Sequence, residues 1–175
     1  MDACQSGYIA GQVVGVLSNK ADAYGLVRAQ QAGINTAIIN HKEFATRQDF
    51  DLAMQKIIDA WQPDVVVLAG FMRILTPAFV QHFEGKLINI HPSLLPLYKG
   101  LHTHQRVLAT GDKLHGCSVH FVNAELDGGA VIAQAVLTVA ANEAEQSLIQ
   151  RVHKLEHIIY PLVLNWLSYG RDRKS

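Results

Sequence analysis

The stretch LINIHPSLLP, residues 87–96, is an apolar run that carries two polar side chains, Asn89 and His91, to its end and stops at Pro92. In a strand, residues two apart point to the same face, so Leu87, Asn89 and His91 share one side while Ile88 and Ile90 share the other. The amide and the imidazole are therefore aimed together. Two readings fit this local pattern. Asn89 and His91 are hydrogen-bonded polar groups capping a strand end, or they belong to a site, since open parallel sheets gather ligands outside the carboxyl ends of their strands.

Around this stretch, short β-branched runs alternate with segments whose apolar residues recur at helical spacing, which predicts an α/β fold with a mainly parallel central sheet flanked by helices. GQVVGVLSN (11–19), NTAIIN (35–40), DVVVLAG (64–70) and KLINIH (86–91) read as strands. GCSVHFV (116–122) and AVIAQAVLTV (130–139) read as a further pair joined by the turn NAELDGG. Helices are expected over 21–33, closed by Gly33, over 48–61, and over 102–111, with another starting at Thr76 as cap and Pro77 in the first turn. A long C-terminal helix follows. Asn142 and Glu145 look like a capping box, Leu148, Val152, Leu155, Ile159, Leu162 and Trp166 repeat on one face, and Pro161 is expected to kink it.

At 175 residues and 49% hydrophobic composition the chain suits one compact domain over residues 1–175. Fifteen Lys plus Arg balance fifteen Asp plus Glu, so no broad cationic surface is available for nucleic acid. Two cysteines, Cys4 and Cys117, are too few for a disulfide framework or a Cys-rich zinc site and fit a reducing, cytoplasmic setting. No run approaches the roughly 18 apolar residues that span a bilayer, so no membrane partner is expected.

The second chemical candidate is Asp127 in ELDGG (125–129). Alone it is a turn. Beside His91 its carboxylate would favour the imidazolium and orient the ring, making an acid–base set of Asn89, His91 and Asp127. His102, His104, His115 and His120 raise a metal reading, but no Cys or HExxH-type spacing supports it. His120 reads as a hydrogen-bonded sheet residue or as a group supporting the site. AGFMRIL (69–75) is either core packing or an apolar slot for a flat ligand, with Arg47 and Arg73 as surface charges or contacts for an anion.

NIHPSLLP, GLHTH, SVHFV and ELDGG, in this order and spacing, resemble the folate-dependent phosphoribosylglycinamide formyltransferases over residues 2–168. Formyltetrahydrofolate deformylases and methionyl-tRNA formyltransferases share the Asn-x-His and Asp elements; HPSLLPLYKGLHTH (91–104) is similar to the ribonucleotide enzymes in particular. The resemblance implies a Rossmann-like formyltransferase fold and transfer of formyl from 10-formyltetrahydrofolate, as co-substrate, to the amine of glycinamide ribonucleotide, without a metal. It implies catalysis by His91, Asn89 and Asp127, folate contacts from Arg47, Met72, Arg73, Ile74, Leu75 and Asn89, and ribonucleotide contacts from Gly70, Pro92 and Glu156. A deformylase-type hydrolase and a non-catalytic folate-binding module are the alternatives.

Against the family pattern, the chain opens at MDACQSG, matching the end of a first helix, so a leading strand and a phosphate-holding loop are expected to be absent and the C-terminus to end slightly early. Weaker ribonucleotide binding, exposed sheet edges and self-association as a homodimer are the corresponding expectations.

Overall fold

The structure is a computed structural model and describes residues 1–171. The early C-terminal end expected after Lys174 and Ser175 lies outside the described residues. In chain order the elements are α1 (Asp2–Gln5), β1 (Gly15–Ser18), α2 (Tyr24–Gln31), β2 (Asn35–Ile38), a short 3-10 turn (His41–Glu43), α3 (Arg47–Trp61), β3 (Val66–Leu68), α4 (Pro77–His82), β4 (Leu87–His91), α5 (Thr103–Thr110), β5 (Leu114–Phe121), β6 (Val131–Thr138) and α6 (Glu145–Arg171). Among the described residues no helix is long and apolar enough to cross a membrane.

The α/β class holds, but the expectation of a mainly parallel sheet is corrected. The strands form a parallel pair, β1–β2, and a mixed sheet in the order β3-β4-β5-β6, in which only β3–β4 is parallel. The short NAELDGG connection returns β6 antiparallel to β5, and β5 itself runs opposite to β4. β4 is thus the strand at which direction switches. Its register sets Asn89 beside His120 and His91 beside Ser118, while the β5–β6 ladder shifts where Val119 and His120 face Ala133 and Val131, leaving Ile132 of β6 unpaired.

Both faces of β4 are covered. Phe50, Met54 and Ile58 from α3 pack with Phe79 and Val80 from α4 and with Leu87. On the other side Leu148, Val152, Ile159 and Val163 from α6 pack on Cys117 and Val119, with Ile90 against them. Burial of each large apolar side chain contributes roughly 1.5–3 kcal/mol, which holds the strand that carries the polar pair between two layers.

The helix starts follow their signals. Thr76 Oγ1 accepts the Phe79 N–H with Pro77 in the first turn, and Thr46 Oγ1 accepts the Asp49 N–H at 3.1 Å. Gly33, at φ 68°, closes α2. Two expectations about α6 are corrected. Asn142 has φ 56° and is no cap; Glu143 reaches back to the Ala140 N–H at 2.9 Å and is itself gripped by Arg151. The apolar stripe moves on at Val163, four residues after Ile159, and leaves Trp166 exposed, because the 3.6-residue period drifts off the earlier face. The helix runs through Pro161. Near it, Tyr160 donates its hydroxyl to the carbonyl oxygens of Leu68 and Ile88 at 2.8 and 3.2 Å, tying α6 to β3 and β4.

Candidate active site

His91, at the end of β4, is buried, and both its ring nitrogens have neighbours. Nε2 is 3.0 Å from the Tyr98 carbonyl oxygen. A carbonyl only accepts, so Nε2 must carry a proton, and Nδ1 is left as the nitrogen that gains or loses one. Nδ1 lies 3.4 Å from Asp127 Oδ2, with both side chains less than a tenth exposed. The expected pairing of His91 with Asp127 is therefore present in the geometry, through a defined nitrogen.

Asp127 sits in the β5–β6 connection at φ 48°, a left-handed conformation that an aspartate tolerates better than most residues. Its Oδ2 also accepts the Gly100 N–H at 2.8 Å. Gly129 explains the end of the ELDGG motif: a Cβ there would stand 1.8 Å from the Phe121 carbonyl oxygen, so only glycine lets the turn close against β5.

Tyr98 and Gly100 belong to the segment after β4 and contribute through backbone atoms. Tyr98 is at φ 54° and Gly100 at φ 80°. Lys99 Nζ meets Glu125 Oε1 at 2.6 Å, and Arg106 donates to the Lys99 carbonyl at 2.7 Å, so this segment is strapped to both the Asp127 loop and α5. The PSLLP turn is held from beneath: Ser118 Oγ donates to the Ser93 carbonyl at 2.6 Å and accepts the Leu95 N–H at 3.0 Å, while Gln134 donates to Ser118 Oγ at 2.8 Å. Sequence reading missed Tyr98 and Gly100 because main-chain donors and acceptors leave no residue-type signal; the glycine alone hinted at a special backbone.

Asn89 is half-buried, and its Nδ2 lies 3.3 Å from His120 Nε2. His120 is itself buried, 3.8 Å from Asp127 Oδ1. Asn89, His91, Asp127 and His120 thus form one connected polar group at the carboxyl end of β4.

The residues expected to meet folate lie on two elements beside this end. Met72 and Ile74, 77% and 61% exposed, project from the segment after β3, and Arg47 is exposed in the first turn of α3. Leu75 packs toward the α3–α4 core instead. Arg73 is half-buried: its guanidinium carbon stands 5.5 Å from the Phe50 ring centroid, and its buried Nε has no hydrogen-bond partner among the described residues. Gly70, at φ 63°, ends the β3 turn, and Pro92 follows His91 directly. Glu156, on α6, is half-buried within electrostatic reach of His91, and burial raises its pKa.

His102 and His104 diverge. His104 Nδ1 pairs with His115 Nε2 at 3.0 Å, while His102 is exposed at φ 57° before α5. Burial pushes the His115 pKa down to about 4, with His104 and His91 adding to the shift. Among the described residues no group of three or more His, Cys, Asp or Glu side chains could hold a metal ion. Burial, with Glu156 nearby, pushes the Cys117 thiol up to about 12, so it is no nucleophile at neutral pH.

A family model described as formyl transferase matches residues 1–164. The chain is 56% identical to the phosphoribosylglycinamide formyltransferase of Escherichia coli (strain K12) over 171 residues, covering 98% of this chain and 81% of the relative. It is 48% identical to that of Haemophilus influenzae, covering 99% of this chain and 82% of the relative. Among solved structures, the phosphoribosylglycinamide formyltransferase of Coxiella burnetii superposes with a TM-score of 0.92 at 55% identity, covering 97% of this chain and 80% of that one. With the predicted polar triad gathered at one strand end, and with identity of this order along nearly its whole length, the chain belongs to the phosphoribosylglycinamide formyltransferase family.

Proposed function

We propose that this chain is a one-carbon transferase of de novo purine biosynthesis, passing the formyl group of 10-formyltetrahydrofolate to the primary amine of glycinamide ribonucleotide. Family membership supports the reaction. The observation in this chain that carries it is the buried contact between His91 Nδ1 and Asp127 Oδ2, with Asn89 two residues before His91 on the same strand face.

The amine nitrogen attacks the formyl carbon, a C–N bond forms, and the carbonyl electron pair moves onto oxygen. His91 in its cationic form donates from Nδ1 and Asn89 from Nδ2 to that oxyanion, each donor commonly lowering the barrier by about 3–4 kcal/mol. Asp127 supplies the counter-charge for His91. It also takes up, through water, the proton that the attacking nitrogen must lose, for delivery to the leaving nitrogen of the folate. Collapse of the tetrahedral species breaks the old C–N bond and restores the carbonyl.

Arg47, Met72, Arg73, Ile74 and Leu75 are the proposed folate contacts, together with Asn89. The exposed apolar surface of Met72 and Ile74 supports a flat ring seated there, and the two arginines suit its carboxylates. Gly70, Pro92 and Glu156 are the proposed ribonucleotide contacts. The half-buried Glu156 is suited to accept hydrogen bonds from ribose hydroxyls.

The test is a formyl-transfer assay run with and without the ribonucleotide. Tetrahydrofolate release that requires the ribonucleotide is the expected result. Release without it would identify a hydrolase, and no release in either case a folate-binding module.

A further inference from the structure

His120 is absent from the acid–base set read in the sequence, yet it touches two of its members. Its Nδ1 lies 2.8 Å from the Phe121 carbonyl oxygen, and its Nε2 3.3 Å from Asn89 Nδ2 and 3.8 Å from Asp127 Oδ1. The carbonyl accepts only, so Nδ1 carries a proton. In the neutral ring Nε2 is then a lone pair, able to accept from Asn89.

We infer that His120 is a positioning residue whose neutral, Nδ1-protonated ring fixes the amide of Asn89, holding Nδ2 on the His91–Asp127 side of the site. An asparagine amide left alone can turn over, exchanging a donor for an acceptor at nearly identical shape. With the oxygen where Nδ2 stands, Asn89 would present a lone pair to a developing oxyanion and repel it. Since Asn89 Nδ2 has no other hydrogen-bond partner among the described residues, His120 alone decides between the two states.

The surroundings keep the ring neutral. Burial lowers the His120 pKa first; the Phe121 hydrogen bond and the Asp127 carboxylate oppose this, and His91 reinforces it. A protonated His120 would turn Nε2 into a donor facing the Asn89 donor and swing toward Asp127, disarming two groups of the site. The regular antiparallel register of β4 and β5 sets His120 directly opposite Asn89, which brings the ring to this position.

The inference rests on the proposed formyl transfer for its kinetic consequence but not for its geometry, so two measurements separate them. Nitrogen-15 NMR of the unliganded protein near neutral pH should report His120 as the neutral Nδ1–H tautomer; the Nε2–H tautomer would overturn the inference whatever the enzyme does. In the transfer assay, His120→Leu should lower kcat by on the order of a hundredfold with little change in KM. His120→Gln, whose amide oxygen can stand near the Nε2 position, should recover most of the loss.

In an Asn89→Ala background His120→Leu should cost nothing further. Independent, multiplying effects of the two substitutions would assign His120 a role apart from Asn89 and overturn the inference. If His120→Leu fails to fold, the tautomer and the Gln variant still decide. An unmodified chain without transfer activity would refute the proposed reaction and leave the tautomer measurement standing.

Discussion

His91 is held from both sides: the Tyr98 carbonyl accepts a hydrogen bond from Nε2–H at 3.0 Å, which leaves Nδ1 facing Asp127 at 3.4 Å. His91→Ala should lower kcat by roughly a hundredfold or more with little effect on folate binding. Asp127→Asn, which keeps the shape and can still accept the Gly100 N–H, should lower kcat comparably by withdrawing the counter-charge. Steady-state kinetics with folate affinity measured separately check both, and near-normal turnover in His91→Ala would remove this residue from the chemistry.

The Asp127 loop depends on a close backbone approach. Gly129→Ala drives a Cβ against the Phe121 carbonyl oxygen, where backbone must move to admit it. Because the loop ends so close to Asp127, a shift approaching 1 Å in the carboxylate should cost up to about a hundredfold in kcat. Gly128→Ala should be milder, since the atoms nearest its Cβ belong to the flexible Glu125 side chain. Equal losses in the two variants would contradict this account.

Asp51 is a buried carboxylate on α3 whose Oδ2 accepts the Thr76 N–H at 2.6 Å, locking the start of α4 to α3. Asp51→Ala leaves that buried N–H without a partner, a loss of about 1–3 kcal/mol. Denaturant unfolding should detect it as a lower midpoint with an unchanged slope.

The His104–His115 pair predicts acid sensitivity. With a folded pKa of about 4 against 6.5 for an ordinary histidine, His115 binds fewer protons in the folded chain than in the unfolded one across that window. Stability is therefore fully present above about pH 6.5 and falls as pH drops toward 4, by up to roughly 3 kcal/mol from this residue. His104 and His120, also lowered mainly by burial, act in the same direction. Melting temperature followed from pH 7 to pH 4.5 should fall, and His115→Leu should flatten the slope. A slope unchanged by that substitution would assign the acid sensitivity elsewhere.

Much of the architecture was legible because it is written in periods and punctuation. The alternation in LINIH, the Thr76–Pro77 start and the Gly33 stop are local signals, and each strand and helix that was expected lies within a few residues of its span, while α1 and the 3-10 turn at His41–Glu43 were not foreseen. The Asn89, His91 and Asp127 set was legible by side-chain type and by resemblance. Antiparallel pairing of most of the larger sheet, the exposure of Trp166 and the role of Glu143 at the head of α6 were not read correctly. The first depends on which strand β5 lies beside, the second on where the drifting helical period leaves the covered face, and the third on a side chain reaching back to a main-chain N–H outside the helix.

By itself, the sequence determined that an amide and an imidazole share one face of a strand, since the two-residue repeat of extended backbone demands it. Only the tertiary structure decided which nitrogen of His91 faces Asp127. That choice belongs to the carbonyl of Tyr98 and the carboxylate of Asp127, 7 and 36 residues along the chain, and hydrogen-bond direction is a property of partners brought together by folding. The same holds for His120, whose orientation of Asn89 arises from strand register and a main-chain oxygen that no residue type announces.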